Sequence, residues 1–472
     1  MTGSEVGAAD LGPREPAQVA ADPRHIGATR PWRQVGTRQR PLVVGQELAS
    51  PRLRNDAQRS LPISEPTGYR TSDIGRCELS AFWRFWAASS VARLGGGTGA
   101  AAFPLAAAAL SSEPIHVAGI AVALELPWLL FGLPAGALAD RRDRRTLAVA
   151  ATATQGALVI VLAVAMITGV AGMAMIYAAA FGMGTCATFA GSAVRTMTPA
   201  LVEPADLERA NGRIITAGNA SGELVGPPLG SALFGLVAAV PFFFQGLTNV
   251  AATFLLGSLP DRFAPGRQTT TVRGALSEIW EGIRWLVGHR RLGSITVLTM
   301  VFVITDSAWF ALLALYVTEI LHLPPSAYGI VVGIAAAGGL VGGLAAATIA
   351  RVLPTHVLLP GLLVAAAAGQ VVLAVTGGAV VATAALAVSA FAFGIWDVVT
   401  VTQFQRHTPN GLMGRVMAAD RTAIMGASPL GALLGGLAAN AWGLRAPLLL
   451  GLPILLGGAF LGWRLLRTAR LK

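Results

Sequence analysis

The chain alternates long apolar runs with short polar stretches. After a polar first segment, twelve runs of about 20 residues or more follow: 82–110, 115–139, 145–168, 170–194, 208–236, 239–258, 292–320, 326–350, 355–376, 379–404, 413–439 and 444–468. About 20 apolar residues carry a helix across a hydrocarbon core. Backbone groups in lipid must bond within their own segment, so each run predicts a helix. The strict polar–apolar alternation of a membrane β-barrel is absent. The expected fold is an all-α membrane protein with twelve transmembrane helices.

The polar stretches differ in charge from one side to the other. One set holds "RRDRR" (Arg141 to Arg145), the stretch Arg195 to Arg213, residues 259–291, Arg351, Arg406, Arg415 and the terminal "RLLRTARLK". The other set holds "SSEPIH", "TGVAG", "AAVP", "TEILHLPPS", "TGG" and "NAWGLRA", with Arg445 as its one arginine. Basic loops stay in the cytoplasm. This predicts a multi-pass protein of the cell membrane with both termini cytoplasmic, as an even number of spans requires. Residues 1–79 carry 11 Arg against 9 acids, are rich in Pro, Gly and Ser, and hold no apolar stretch of signal-peptide kind. They read as a disordered cytoplasmic extension. Residues 259–291 divide the rest into an N-terminal bundle (80–258) and a C-terminal bundle (292–472). Within this linker, "GALSEIWEGIRWLVGHRR" has the spacing of an amphipathic helix lying on the cytoplasmic face.

Composition fits this picture. The chain is 54% hydrophobic and only 12% charged, against about 25% charged in soluble proteins. Residues 1–79 contribute only +2 of the net charge of +11; the rest sits in the short loops, and Lys472 is the only lysine. This is orientation charge rather than a nucleic-acid surface. Cys77 and Cys186 form no framework, and the six histidines show no ligand spacing. No cofactor or metal is expected. An enzyme is also unexpected: there is no Ser-His-Asp set, and "RLGGGTG" lacks the lysine of a phosphate loop.

The two halves repeat each other. "PLGSALFGL" (Pro228 to Leu236) matches "PLGALLGGL" (Pro429 to Leu437) at six of nine positions, 201 residues apart. Thr198-Pro199 and Thr408-Pro409 precede the two copies. A small residue recurs every fourth place: Gly218, Gly222, Gly226 and Gly230 against Ala419, Ala423, Ala427 and Gly431. Such ridges let helices approach closely in lipid. Two pseudo-symmetric six-helix bundles with a site between them near the midplane are a transporter design.

"GALADRRDRR" ends the second run and opens the third. Gly136 and Ala137 permit close packing, and Asp140 stands at the membrane boundary, where a carboxylate needs a partner. The order of Gly136, Leu138, Ala139, Asp140, Arg141, Arg144 and Arg145 resembles the signature of the major facilitator superfamily between its second and third helices, with Asp143 where that family usually has Gly. The resemblance implies that Asp140 and these arginines form a cytoplasmic gate that closes on the start of the eleventh helix, near Met413 and Arg415. The second half has "GGLVGGLAAATIAR" at the corresponding place, without the aspartate. Gly222, Gly226, Pro227 and Gly230 resemble the superfamily's antiporter motif, with Ser231 replacing its last Gly. The stretches "LPWLLFGLPAGALADR" and "ERANGR…GPPLG" are similar to the branch holding enterobactin and other siderophore exporters and macrolide efflux proteins. The arginine that many drug/proton antiporters carry midway along helix 4 is replaced here by Ala180.

Charges within the runs are costly, so each needs a partner or a task. Arg93, Glu125, Glu223, Asp306 and Asp397 are the candidates for proton or substrate coupling. Structural pairing of Arg93 with Glu125 or Glu223 is the alternative. Trp128, Gln155, Phe242, Gln245, Trp309, Gln370 and Trp396 could line an amphipathic pocket. The expected function is proton-driven export of a small amphipathic molecule (a drug, siderophore or secondary metabolite) by a monomer using alternating access. The competing readings are a proton-coupled importer or uniporter, or a polytopic membrane enzyme.

Overall fold

The computed structural model describes residues 71–260 and 272–468. The expectation of a disordered segment over 1–79 therefore falls outside the described residues as far as residue 70. From Thr71 the chain is already helical, nine residues ahead of the expected boundary at 80.

Among the described residues every regular element is a helix. They are α1 (Thr71–Leu110), α2 (Pro114–Arg141), α3 (Arg144–Ile167), α4 (Met173–Met197), α5 (Leu207–Asn219), α6 (Gly226–Leu236), α7 (Val240–Gly257), α8 (Val272–Gly288), α9 (Arg290–Phe310), α10 (Leu313–Leu315), α11 (Pro325–Val352), α12 (Thr355–Val375), α13 (Ala379–His407), α14 (Met413–Trp442) and α15 (Ala446–Thr468). Ten are long and apolar enough to cross a membrane. Together with α1 and the interrupted run 207–236, they fit the expected twelve. Large apolar side chains such as Phe254, Leu344 and Val380 face outward and are three-quarters or more exposed. Water would not tolerate so much apolar surface, whereas lipid is its natural neighbour. The protein is a multi-pass membrane protein.

Two runs expected to be single helices are not. Between α5 and α6, residues Ala220–Val225 form a π-turn. Pro227 and Pro228 follow it. Neither has an N–H, so the carbonyls four residues earlier lose their usual donors and the helix widens. The run 292–320 ends as regular helix at Phe310 and resumes as α10 and a second π-turn, Tyr316–Ile320. There the Tyr316 hydroxyl donates to the Leu373 carbonyl at 2.6 Å and ties the widened turn to α12.

The repeat seen in the sequence is a repeat in packing. The ridge of α6 and its π-turn lies on α1, and the ridge of α14 lies on α9. A Cβ on Gly226 would stand 2.6 Å from the Cα of Gly97, and one on Gly431 would stand 2.9 Å from the Cα of Ile304. Only glycine allows backbones that close. Between the halves, α2 packs on α14 and α6 packs on α11, again as an equivalent pair.

The core has an uneven shape. Toward the end bearing "SSEPIH" and "TEILHLPPS", one apolar cluster joins both halves, with Phe103, Val117 and Phe234 from one and Leu313, Tyr328 and Ala432 from the other. Toward the arginine-rich end there are two separate clusters. One, around Phe85, Met197 and Leu256, belongs to the first half alone. The other, around Phe302, Trp396 and Leu455, belongs to the second. The halves meet at one end and part at the other.

The linker helix α8 sits at that parted end. Ile279 and Leu286 are buried while Leu276, Trp280 and Val287 are exposed. Gly282 lies against the backbone of Arg415 and against Ala419 of α14.

Candidate functional site

The parting of the halves makes a cavity of about 800 Å³. Helices of both halves line it: α1 to α4, the π-turn before α6, and α7 from the first; α9, α13 and α14 from the second. Most of its surface is apolar, from residues such as Trp128, Met183, Phe393 and Met425. A volume of roughly 300–1,000 Å³ suits a drug-sized molecule.

Of the coupling candidates, Arg93, Glu125, Glu223 and Asp306 all line this cavity. Asp397 does not. It lies on α13 near enough to Arg421 to feel its charge. The pairing of Arg93 with Glu125 or Glu223 is not formed: among the described residues, no ion pair joins them. Trp128, Gln155 and Gln245 also line the cavity. Phe242 instead stacks edge-on against Phe103 in the core. Trp309 is in the apolar cluster at the closed end. Gln370 is buried against Gly451, and Trp396 is buried and donates to Thr299 Oγ1 at 3.1 Å.

Two further cavity-lining charges were not singled out in the sequence, Arg195 on α4 and Arg421 on α14. Arg195 stands one residue past a run taken to end at 194. Arg421 stands inside a run, in "AADRTA", and its position within that run was signal enough. Its neighbour Asp420 turns away from the cavity lining and accepts from Thr296 Oγ1 at 2.6 Å. Ala180, where many antiporters have arginine, is fully buried, so Arg195 is the cation that α4 offers the cavity.

Helix geometry orders these charges by depth. At 1.5 Å per residue, Glu125, Asp306 and Ser428 each lie about 22–24 Å from the arginine-rich end of their helices. Ser428 neighbours Glu125, and its hydroxyl is 2.8 Å from that of Ser307. Glu125 of the first half thus meets the Ser428–Ser307 hydroxyl pair of the second near mid-depth, and the Asp306 carboxylate lies at the same depth. Glu125 Oε2, Gln245 Oε1 and Asn249 Nδ2 are buried without a hydrogen-bond partner. All three residues line the cavity.

The "GALADRRDRR" turn lies at the parted end. Asp143 caps α3, its carboxylate accepting from the Thr146 N–H at 2.7 Å. A glycine there could not do this. Arg144 donates to the Thr196 carbonyl at 3.2 Å, and Arg145 donates to the Gly257 carbonyl. These bonds tie the turn to the ends of α4 and α7. Arg141 is exposed. Asp140 closes the penultimate position of α2, and its side chain lies outside the described residues. Arg415, near which the gate was expected to close, is 2.9 Å from Glu281 of α8. Gly136 meets nothing within contact distance. The close packing expected of it is not formed. Gly222, Gly226 and Gly230 lie against Arg93, Gly97 and Thr98 of α1, while the Pro227 carbonyl faces Gly329 of α11.

Two helical bundles embedded in lipid, joined at one end and enclosing a drug-sized cavity between them, define a membrane transporter of the major facilitator superfamily. The sequence pattern of the transmembrane secretion effector family matches residues 73–469, and the chain belongs to that family. It is a transporter, not an enzyme. The multidrug efflux pump Tap of Mycobacterium tuberculosis is 27% identical over 405 residues, covering 82% of this chain and 93% of the relative. Tap of Mycobacterium bovis matches to the same extent. Among solved structures, the nucleoside transporter NupG aligns with a TM-score of 0.66 at 11% identity, covering 82% of this chain and 99% of that one. A bacterial homologue of the iron transporter ferroportin aligns with a TM-score of 0.61 at 16% identity, over 81% and 99%. At such identities these structures share the fold alone.

Proposed function

We propose that this protein is a secondary-active exporter of small amphipathic molecules, drugs among them, that takes its substrate from the cytoplasm and exchanges it for protons. The observation that carries this reading is the cavity: about 800 Å³, largely apolar, holding carboxylates at mid-depth and open toward the arginine-rich end. The positive-inside rule makes that end cytoplasmic and puts both termini there. A substrate would enter between the halves, satisfy the unpartnered atoms of Gln245 and Asn249, and leave after the halves rock the other way. The likeness to Tap, named as a multidrug efflux pump, supports outward movement of drugs.

Glu125 and Asp306 are the proton carriers in this reading. They lie at one depth on opposite halves and both line the cavity, with Glu125 beside the Ser428–Ser307 hydroxyl pair. Protons bound from outside and lost inward would switch the charge of Glu125 and Asp306 in step with the rocking of the halves. The test is uptake of a drug panel into inside-out proteoliposomes with an imposed, interior-acid pH gradient. Gradient-driven uptake is expected in the unsubstituted protein and at least about tenfold less in Glu125→Gln or Asp306→Asn, the scale of losing one charge-assisted interaction. Full gradient-driven uptake in both variants would remove these carboxylates from the mechanism.

A further inference from the structure

The charges lining the cavity are not mixed evenly. The carboxylates Glu125 and Asp306 lie about 24 Å in from the arginine-rich end, while Arg421 lies about 12 Å in on α14 and Arg195 stands in the last turn of α4. Arg93 starts from α1 at middle depth, and its guanidinium runs along Gly218 of α5, with Nε 3.5 Å from where a Cβ would stand. It therefore points back toward the arginine-rich end. Arg93 and Arg421 are also the two charges that act on Arg195. Three guanidinium groups from three helices, two in the first half and one in the second, thus converge on the approach to the cavity.

Like charges do not gather without cause. Among the described residues none of the three makes an ion pair, and no hydrogen bond satisfies any of their guanidinium groups. Asp397 offsets part of Arg421's charge from behind, but it does not line the cavity. Glu223, the acid of the π-turn, forms no ion pair with Arg93. A role in membrane orientation does not explain the cluster either. Orientation charge belongs in loops, and Arg93 and Arg421 sit well inside apolar helices. Guanidinium groups are donors without acceptors, in a fork that fits the planar or tetrahedral oxygens of an acid group.

Resting on the exporter reading above, we infer that Arg93, Arg195 and Arg421 form an anion site, and that the favoured substrates are amphipathic molecules carrying an acidic group: a carboxylate, sulfonate or phosphate. The acidic group is held by the three arginines and the apolar body lies against Trp128, Met183 and Phe393. Because Arg421 belongs to the second half and the other two to the first, the anion bridges the halves. Its binding therefore favours the conformation in which the three guanidinium groups are close together.

A pair of dyes separates charge from apolarity. Anilinonaphthalene sulfonate and N-phenylnaphthylamine share one aromatic skeleton, and only the first bears an acid group. Binding of the radiolabelled pair is measured on the purified full chain in nanodiscs, with empty nanodiscs as the blank. The expected result is saturable binding of both, with the sulfonate the tighter. In Arg93→Gln, Arg195→Gln and Arg421→Gln, the ratio of sulfonate to neutral-dye affinity should fall at least about tenfold, as for loss of a charge-assisted contact. The matching Lys variants, which keep the charge, should retain most of the ratio. Equal affinity for the two dyes, or a ratio unmoved in all three Gln variants, overturns the anion site while leaving an exporter of neutral amphipathic molecules intact. Binding of neither dye overturns both readings.

Discussion

At the scale of single residues, Asp143 illustrates how a departure from a family pattern acquires a cause. It takes the place of a glycine, caps α3 through the Thr146 N–H, and stiffens a turn already tied down by Arg144 and Arg145. Replacing Asp143 by Ala removes that cap. The expected loss is about 1 kcal/mol of stability, read as an earlier denaturation midpoint in detergent, with transport retained. An unchanged midpoint would mean that the arginines alone hold the turn. Of the charged residues in the cavity, Arg93, Glu125, Glu223 and Asp306 were legible in the sequence because an ionisable group inside an apolar run is conspicuous. That they share one cavity was not legible. A helix apolar all round gives no sign of which face meets its neighbours, so Asp397, Trp309 and Gln370 were indistinguishable from residues that do line it. Arg195 was hidden by a run boundary one residue too early.

At the scale of elements, the small-residue ridges do the work expected of them, and they do it twice. Gly226 and Gly230 bring the α6 segment onto α1, as Gly431 and Gly435 bring α14 onto α9. The prolines that break α6 from α5 could be read from the sequence. The π-turn they impose, and the second one at Tyr316–Ile320, could not, because local pattern does not count residues per turn. Both widened turns border surfaces where the halves touch: Pro227 and Ser231 against α11, and Tyr316 within the joint apolar cluster. A bulky residue should be poorly tolerated there. Gly226→Leu would force a side chain into the Gly97 backbone, and overpacking of this kind costs about 1–3 kcal/mol. The expected readout is a lowered thermal midpoint together with a loss of transport. A variant as stable as the parent would show that α1 and α6 move apart freely.

At the scale of the whole molecule, the two halves, their repeat and their membrane setting were all readable from hydrophobic runs, loop charge and the paired "PLG" segments. The conformation was not. Nothing in the pattern of residues says that the apolar clusters merge at one end and separate at the other, since a transporter's sequence must serve both arrangements. The merged cluster closes the cavity at one end, with Ser231 Oγ donating to the Ser326 carbonyl at 2.9 Å across it. At the parted end Gly136 and Gly414 meet nothing within contact distance.

Alternating access requires that the closed end open in every cycle, and a reversible lock across it is the most direct test. A Cβ on Gly235 would stand 3.0 Å from the Cβ of Ser326, close enough for Gly235→Cys and Ser326→Cys to be joined by a disulfide after slight relaxation. In a background with Cys77 and Cys186 replaced, oxidation should abolish gradient-driven uptake into inside-out vesicles, leave substrate binding from the arginine-rich side intact, and be reversed by reductant. Transport that continues undiminished with the cross-link fully formed would contradict the account.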